Sequence, residues 1–386
     1  MQKIFIIIKH TMLIFCISGC ISEYKQTGAA EMSGILVVDG MILDKGTIIR
    51  LSRTINLNEM FSDGKMEDVQ AGVYVMNEWD QVVAIAEKQI INGKINPGVY
   101  VVKQDISFDP AMKYALYIVD NINEKTYKSE FVYPVFTPKI DEVGWNLNGD
   151  NSIDIFVSSH DPANKINYYM WDFDETWEIR SKLFSDLRYD PVTQTQIQQS
   201  LSGDNRYYCW SSDYSKSILV ASSSKYSDAV IKNHKIHTIQ PGNSRYSYLY
   251  SIFVRQYGLE REAYLYFENM RKNLEESGGI FGRQPTELPG NIKCLTNPEE
   301  PVIGYISVAL VKSYQIFIPM AQLLITYNLE DQHDCNASSM QFQSLQHAFN
   351  NGFGLYYNQF VRLECIDCTR RGGTKNKPEN WPNDHR

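Results

Sequence analysis

The chain has 386 residues, and its 37 Lys and Arg against 45 Asp and Glu give a formal net charge of −8. This acidic balance argues against nucleic acid and anionic lipid head groups as partners, because both would be repelled at long range. The 25 Tyr and 17 Phe are typical of a large β-rich fold, although tyrosine is also enriched at carbohydrate and protein contacts.

Residues 1–19 have the pattern of a secretory signal peptide. Lys3 and Lys9 are interleaved with two apolar runs, and the small residues Ser18 and Gly19 follow. A transmembrane anchor is the alternative, but a span needs about 20 uninterrupted apolar residues, and Lys9 breaks the run. Loss of Lys3 and Lys9 with this segment would change the net charge from −8 to −10.

Ile17-Ser18-Gly19-Cys20 resembles a bacterial lipobox. The resemblance implies that cleavage leaves Cys20 at the new N-terminus and that this cysteine carries lipid. More than one acyl chain is needed for stable anchoring, and a multiply acylated cysteine would hold the protein firmly on a membrane. Residues 20–33 are polar and featureless, so we expect them to form a tether.

Residues 34–135 predict an immunoglobulin-like β-sandwich. About seven short strands recur at regular spacing, and the pairs Asp63-Gly64, Asn92-Gly93 and Pro97-Gly98 predict turns between them. Two prolines between Tyr133 and Pro138 then favour an extended linker over a central strand. The predicted strands are Ile35–Gly40, Thr47–Ser52, Gly72–Met76, Gln81–Ile85, Gly98–Val102, Tyr114–Val119 and Thr126–Val132.

Residues 139–386 predict a larger β-rich domain with one amphipathic helix. Apolar residues from Leu259 to Leu274 recur at steps of three and four, and Gly278-Gly279 marks a stop. The polar face of this helix is mixed rather than basic, which favours packing on a sheet over a membrane surface. The whole chain is therefore predicted to be mostly β.

Carboxylates lie among aromatic residues between Lys165 and Trp177. Such a group could flank a sugar as an acid and base pair or bind calcium. Strand alternation, however, places Asp172 and Asp174 on one face and Tyr169, Trp171 and Phe173 on the other. A solvated face opposite a core face explains that pattern without catalysis.

Five cysteines besides Cys20 remain in the mature chain, so at most two disulfides form and one thiol is left over. We expect the Cys365–Cys368 segment to be tied to Cys335 or Cys209, which would fix the C-terminal tail against the core. A redox pair, or a metal site completed by His333 and His347, is the alternative. His234 and His237 are three apart on a predicted strand, so we expect them on opposite faces and predict neither a metal nor a cofactor.

The Gly and Pro pairs at 278–279, 284–285 and 289–290 predict a structured loop after the helix. Loops on a rigid scaffold often bind ligands, although turn geometry alone needs the same residues. The candidate ligand contacts are Tyr207, Tyr208, Trp210 and Arg283.

Several sequence blocks together resemble an uncharacterised lipoprotein family of Bacteroidota, catalogued as domain of unknown function four-two-four-nine. The blocks are Leu36–Gly40, Tyr208-Cys209-Trp210, Gly278–Pro285, Pro289–Ile292, Pro301–Tyr305, Cys365–Thr369, Gly372–Thr374, Lys377-Pro378 and Trp381-Pro382. The resemblance covers nearly the whole mature chain and supplies no catalytic residues. It implies an outer-membrane lipoprotein with an immunoglobulin-like front domain, often encoded beside a TonB-dependent transporter.

We therefore expect an outer-membrane lipoprotein, on the periplasmic or the cell-surface side, that helps a TonB-dependent transporter capture a glycan or peptide. No catalytic template is present: the sequence contains no Gly-x-Ser-x-Gly elbow, His-Glu-x-x-His pair or phosphate-binding Gly loop. A surface hydrolase and a purely structural envelope protein are the alternatives, since glycosidases need only two carboxylates brought together by the fold.

Overall fold

The computed structural model describes residues 34–55, 68–198, 206–224, 229–246, 248–276, 290–323, 335–336 and 341–383. The fold is mostly β, as predicted. Cys20 and the segments predicted as signal and tether lie outside the described residues, as do Arg283 and His333. Within the described part, no helix is both long and apolar enough to cross a bilayer.

The first sheet is built mainly from the N-terminal region. Its strands are β1 (Leu36–Leu43), β2 (Ile48–Arg53), β3 (Ala71–Asn77), β4 (Val82–Ile91), β5 (Lys94–Val102), β6 (Tyr114–Asp120) and β7 (Lys125–Ser129). The order β7-β6-β3-β4-β5-β2-β1 is one continuous hydrogen-bonded path. The arrangement of these strands as an immunoglobulin-like sandwich stays a prediction.

Local sequence explains the hairpin between β4 and β5. Asn92 and Gly93 have φ of 51° and 76°, the two positive values that a two-residue type I′ turn requires, and Asn-Gly is the commonest pair there. Pro97-Gly98 was also predicted to be a turn, but the pair lies inside β5. The register of β4 against β5 shifts between Lys88 and Ile90, so an irregularity in the ladder accommodates the pair.

Three late strands complete the first sheet: β17 (Ile292–Cys294), β18 (Val302–Ile303) and β19 (Val308–Ala309). β17 pairs with β7, whereas β18 and β19 pair in parallel with β1. Residues that were assigned by sequence to the second domain thus contribute to the first sheet. The division at 135–139 stays a prediction about domains, but this sheet draws on both sides of it.

The segment that carries these three strands, residues 290–309, is called the late segment here. It is fixed by a buried amide and by a close approach of two backbone segments. Asn291 Nδ2 donates to the Ile306 carbonyl and Asn291 Oδ1 accepts from the Ile306 N–H, both at 2.8 Å. Gly304 has φ of 140°, and a Cβ there would lie 2.2 Å from the Val38 carbonyl oxygen. Only glycine fits that position without moving β1.

Two sheets pack face to face in the second region. Their strands are β8 (Ile140–Leu147), β9 (Ile153–His160), β10 (Tyr168–Arg180), β13 (Tyr208–Tyr214), β14 (Leu219–Ser222), β15 (Val230–Ile239), β16 (Leu249–Leu259) and β20 (Lys312–Pro319). One sheet has the order β13-β10-β16-β20 with β14 beside β10, and the other has the order β15-β9-β8. Inward residues of both sheets share one core.

A buried polar bridge links these two sheets. Trp171 Nε1 on β10 donates to Gln256 Oε1 at 2.8 Å, and Gln256 Nε2 donates to Ser159 Oγ on β9 at 2.9 Å. Tyr169, Trp171 and Phe173 are buried, while Asp172 and Asp174 lie on the opposite face of β10. The predicted alternation of this strand is confirmed.

Helix α1 (Arg261–Glu276) confirms the predicted amphipathic helix. Its buried residues, including Ala263, pack in a cluster with Met41 and Leu43 of β1 and with Tyr257 and Leu259 of β16. The helix therefore packs where the first sheet meets the second region.

The remaining elements are short. They are the hairpins β11 (Leu187–Asp190) with β12 (Thr195–Gln198) and β21 (Phe353–Tyr356) with β22 (Gln359–Arg362), the helices α2 (Leu345–Asn350) and α3 (Leu363–Ile366), and 3-10 turns at Ser244–Tyr246, Met320–Leu323 and Cys368–Arg371.

Candidate functional site

Four aromatic rings form a partly exposed cluster at one end of β10 and β13, which we call the tyrosine platform: Phe184, Tyr207, Tyr208 and Tyr248. Tyr207 meets Tyr208 edge to face at a centroid distance of 4.8 Å and Phe184 at 5.7 Å. Burial, with the nearby Tyr248 next in effect, raises the pKa of Tyr207. This phenol therefore stays protonated and able to donate a hydrogen bond at neutral pH.

Arg180 joins the rings of the platform. Its guanidinium lies 4.1 Å from the centroid of the Tyr248 ring and 5.1 Å from that of Tyr208. Arg180 Nε also donates to Glu178 Oε1 at 2.5 Å, and the Glu178 side chain is fully buried. The stacked and paired arginine is thus held in one position between two tyrosines.

The backbone of the platform is fixed on both sides. On one side, β13 pairs with β10, with Tyr208 opposite Arg180. On the other side, the Cys368 N–H donates to the Arg206 carbonyl, and Trp210 and Thr374 exchange two backbone hydrogen bonds. Arg206 Nη1 also donates to Asp367 Oδ2 at 2.7 Å. A segment paired in this way presents its side chains on a rigid base.

One disulfide ties the C-terminal tail to this base, and a second joins two C-terminal segments to each other. Cys209 is bonded to Cys368, and Cys335 to Cys365. These are the four cysteines that the sequence singled out, and the tail is attached to both expected partners. Cys294 is the leftover thiol, buried on β17.

Trp210 differs from its neighbours Tyr207 and Tyr208. It is only 4% exposed and packs with Trp381 and Leu249 beneath the tail. Trp210 therefore supports the platform from the interior, and of the four candidate ligand contacts the structure brings together Tyr207 and Tyr208 at the surface. Sequence reasoning missed Arg180, Phe184 and Tyr248, because they come near Tyr207 and Tyr208 only when β10 pairs with β13 on one side and with β16 on the other.

A second candidate site is an open cleft of about 200 Å³ at the opposite end of β13. Its walls carry charged and hydroxyl groups, and Glu175 of β10 is among the lining residues although it is only 2% exposed. Arg245 donates to Glu175 Oε1, Tyr250 donates to Glu175 Oε2 at 2.8 Å, and His237 Nε2 lies 3.4 Å from Oε2.

These partners keep Glu175 ionised. Burial by itself would raise its pKa, but the interactions with His237, Arg245 and Tyr250 outweigh that cost and lower the pKa from 4.5 to about 2. A carboxylate this acidic cannot serve as a proton donor near neutral pH. The group is an internal anion that orders the strands around it.

The other carboxylates of β10 are also engaged. Arg255 Nε donates to Asp172 Oδ1 at 2.5 Å, and Tyr257 donates to Oδ2 at 2.9 Å. The Arg255 guanidinium also pairs with Asp174. Burial raises the pKa of Asp172, but both of its oxygens already accept hydrogen bonds, so neither is positioned to protonate a leaving group.

The two histidines do not lie as predicted. The ring of His234 lies 5.1 Å from that of Trp171, and the ring of His237 lies 4.9 Å from that of Phe173, so both meet the buried face of β10. The reason is a register shift between Lys235 and His237 in the pairing of β15 with β9. An extra residue in a strand reverses which side chains face inward. No group of three or more metal-ligating side chains suited to a metal occurs among the described residues.

No curated protein matches this chain in sequence. Among solved structures, a mutant of Salmonella alpha-2-macroglobulin aligns over 62% of this chain with 12% identity and a TM-score of 0.18, and the chain spans 14% of that protein's length. A likeness at that level carries no argument.

The family match is extensive. The profile of a domain of unknown function, DUF4249, matches residues 21–315. The match ends before Cys335, Cys365, Cys368 and Trp381. It covers the first sheet and most of the strands of the second region. The chain therefore belongs to the DUF4249 family.

Proposed function

We propose that this protein is an outer-membrane lipoprotein, anchored through Cys20, that captures a glycan or peptide as an accessory subunit of a TonB-dependent uptake system. The observation that supports ligand capture is the tyrosine platform. Its rings are partly exposed, a stacked arginine lies between them, and the backbone beneath them is paired on both sides.

The chemistry of the platform suits recognition rather than stability alone. Tyrosine and arginine are enriched among the residues that carry binding energy at interfaces, because each offers apolar area together with hydrogen-bonding groups. Aromatic faces can stack on sugar rings or on peptide side chains. A rigid base lowers the entropy lost when a ligand orders these side chains.

The cleft is the weaker candidate for ligand capture. Its volume of about 200 Å³ falls below the roughly 300–1,000 Å³ of most small-molecule sites. The charges around Glu175 are matched to one another, with Arg245 pairing both Glu175 and Asp213. A neutralised cluster of this kind stabilises the two packed sheets of the second region and leaves little charge for a ligand.

The ion pairs of the acidic residues also disfavour the alternative of a surface hydrolase. Asp172, Asp174 and Glu175 all have arginine partners, and a glycosidase needs one carboxylic acid free to donate and one carboxylate facing the sugar. Activity screening of the wild-type protein on oligosaccharides and peptides tests this directly, and turnover abolished by Asp172→Asn would support the hydrolase instead.

Ligand capture is tested by removing the two tyrosines. We expect Tyr207→Ala/Tyr208→Ala to weaken binding to whichever oligosaccharide or peptide of a probe panel binds the wild type, by roughly 10- to 100-fold in calorimetry. Tyr214→Ala is the matched control, because Tyr214 is 64% exposed on the same strand but lies at its far end. Equal binding by the platform variant and this control would refute the platform as the binding surface.

The anchor and the transporter role need a separate test in native membranes. Mass spectrometry should find an acylated Cys20, and affinity purification of the full chain should recover a TonB-dependent barrel. An acylated protein with no barrel partner, whose deletion leaves nutrient uptake unchanged, would favour the structural envelope protein.

A further inference from the structure

Seven isoleucines in or beside the described strands of the first sheet are exposed, and we call five of them the isoleucine rim: Ile55, Ile90, Ile91, Ile95 and Ile122. Their exposed fractions are 45%, 66%, 51%, 55% and 62%. Single exposed apolar residues are ordinary, but several together mark a contact surface. Three of the five surround the Asn92-Gly93 turn, where, among the described strands, β4 and β5 pair only with each other.

Strand register places the whole rim at one end of the sheet. Leu36 pairs with Arg53, Arg50 with Val99, and Ile90 with Ile95. The start of β1, the end of β2 and the β4–β5 turn therefore share one end.

The turn that carries Ile122 lies at the same end. Ala71, the first residue of β3, pairs with Asp120, the last residue of β6. Arg53 forms a buried ion pair with Asp120, which connects the end of β2 to this turn directly. The opposite end of the sheet carries the β3–β4 turn with Trp79.

The chain also enters the sheet at the rim. The Gly34 N–H donates to the Thr54 carbonyl at 2.7 Å, beside Ile55. Thirteen residues, 21–33, separate Gly34 from Cys20, so the Cα atoms of these two residues cannot be more than about 50 Å apart in any conformation. A lipid on Cys20 would thus join the membrane to the end of the molecule where the isoleucines are exposed.

We propose that the isoleucine rim contacts the apolar interface of the bilayer that holds the acylated Cys20, and so fixes the orientation of the protein on the membrane. The inference rests on the proposed lipid anchor. A tethered contact needs little affinity of its own, because the anchor already supplies a high effective concentration. The second region contacts Met41 and Leu43, at the end of β1 away from the rim.

The chemistry of the contact is aliphatic rather than electrostatic. Lys94 is the one charged residue from Ile90 to Ile95, and the mature chain has a net charge of −10, which is −8 less Lys3 and Lys9. That charge would oppose binding to anionic head groups. We therefore expect the contact in zwitterionic membranes and expect it to be insensitive to salt.

Depth-dependent fluorescence quenching on the acylated full chain tests the contact. The protein is reconstituted into phosphatidylethanolamine and phosphatidylcholine vesicles with brominated acyl chains, and an environment-sensitive dye is attached at Ile91→Cys. Cys294 is buried and escapes labelling. The matched control is Val82→Cys, since Val82 is also 51% exposed but lies at the opposite end of the sheet.

We expect quenching at position 91 to be several-fold stronger than at position 82, and unchanged at high salt. Adding Ile90→Thr and Ile95→Thr should reduce it, because threonine keeps the β-branched shape that suits the strands but loses apolar area. A circular dichroism spectrum matching the wild type verifies that the hairpin variant is folded.

Two results would overturn the inference while leaving the anchor intact. One is equal quenching at positions 91 and 82 in protein that mass spectrometry shows to be acylated. The other is a label at position 91 that lipid does not quench but that native membranes shield from aqueous iodide, which would identify a protein as the occupant. A chain without acylation would instead refute the proposed function, and the inference with it.

Discussion

The two regions of the molecule bury their interiors in different ways. The first sheet follows one path around a core dominated by Val, Ile and Leu, and Cys294 in that core is unpaired. The second region packs two sheets around six large aromatic rings, with buried Glu175 beside them and a disulfide at the edge. Disulfides fix the second region, whereas backbone pairing and buried side-chain hydrogen bonds hold the first.

The tyrosine platform and the isoleucine rim lie on different regions of the molecule. The tyrosine platform lies on the region with disulfides, beside backbone that is paired on both sides. The isoleucine rim lies on the region whose chain leads toward Cys20. The proposed ligand site therefore lies on the disulfide-bonded region, and the proposed membrane contact lies on the region with exposed aliphatic residues.

Loss of the Cys209–Cys368 disulfide should give the largest effect. The bond closes 159 residues of sequence, and its removal frees the unfolded chain, so we expect Cys209→Ser/Cys368→Ser to lower the free energy of unfolding by about 5 kcal/mol. Urea denaturation measures this free energy of unfolding. Cys294→Ser in the first core is the control, expected to cost about 1 kcal/mol. Similar losses of unfolding free energy in both variants would show that the second region does not depend on its disulfide more than the first core depends on Cys294.

Acid should unfold the protein partly through Glu175. Its pKa is lowered in the folded state from 4.5 to about 2, so the stabilisation is present above about pH 4.5 and is lost as pH falls toward 2. The loss is on the order of 3 kcal/mol. Denaturation curves between pH 7 and 2.5 should show it, and Glu175→Gln should be less stable at pH 7 with a flatter pH dependence in this window.

The control for Glu175 comes from the surface of the first sheet. Glu87 pairs with Lys103, and both side chains are more than half exposed. Glu87→Gln should change stability by less than about 1 kcal/mol. If Glu175→Gln retained the wild-type pH dependence, the stabilising role of the buried ion cluster would be wrong.

Gly304→Ala tests whether the late segment is needed to complete the first sheet. The new Cβ would lie 2.2 Å from the Val38 carbonyl oxygen at a φ of 140°, so we expect a loss of about 2–3 kcal/mol in thermal or urea unfolding. Gly149→Ala meets no atom within 4 Å and should be nearly neutral. Equal stability of the two variants would show that residues 301–309 can detach from β1 at little cost.

Tyr100→Phe should give the smallest effect. Its hydroxyl donates to the Val69 carbonyl at 2.7 Å and accepts from the Ala71 N–H at 2.8 Å. Loss of the hydroxyl leaves these backbone groups unpaired and should cost about 1–2 kcal/mol. Hydrogen exchange at Ala71 should accelerate, and an unchanged rate would mean that this hydrogen bond does not hold β3 in place.

Local sequence patterns predicted much of the fold. The Asn92-Gly93 turn, the alternation along β10 and the apolar stripe of α1 follow from spacing of two or three to four residues, which the sequence displays directly. Sequence patterns gave wrong predictions where strand pairing is irregular. Pro97-Gly98 lies within β5 and is not a turn, and the register shift in β15 turns His234 and His237 toward the same aromatic face. A one-residue irregularity leaves no signal in periodicity.

The sequence by itself determined a mostly β chain, its main strands and helix, and the cysteines available for two disulfides, because these depend on local periodicity and residue chemistry. Only the tertiary structure decided that residues 290–309 return to the first sheet, that Arg180 stacks between Tyr208 and Tyr248, and that Glu175 is buried against Arg245. Each of these joins residues distant in sequence, and such pairings depend on packing and strand register that no short stretch of residues specifies.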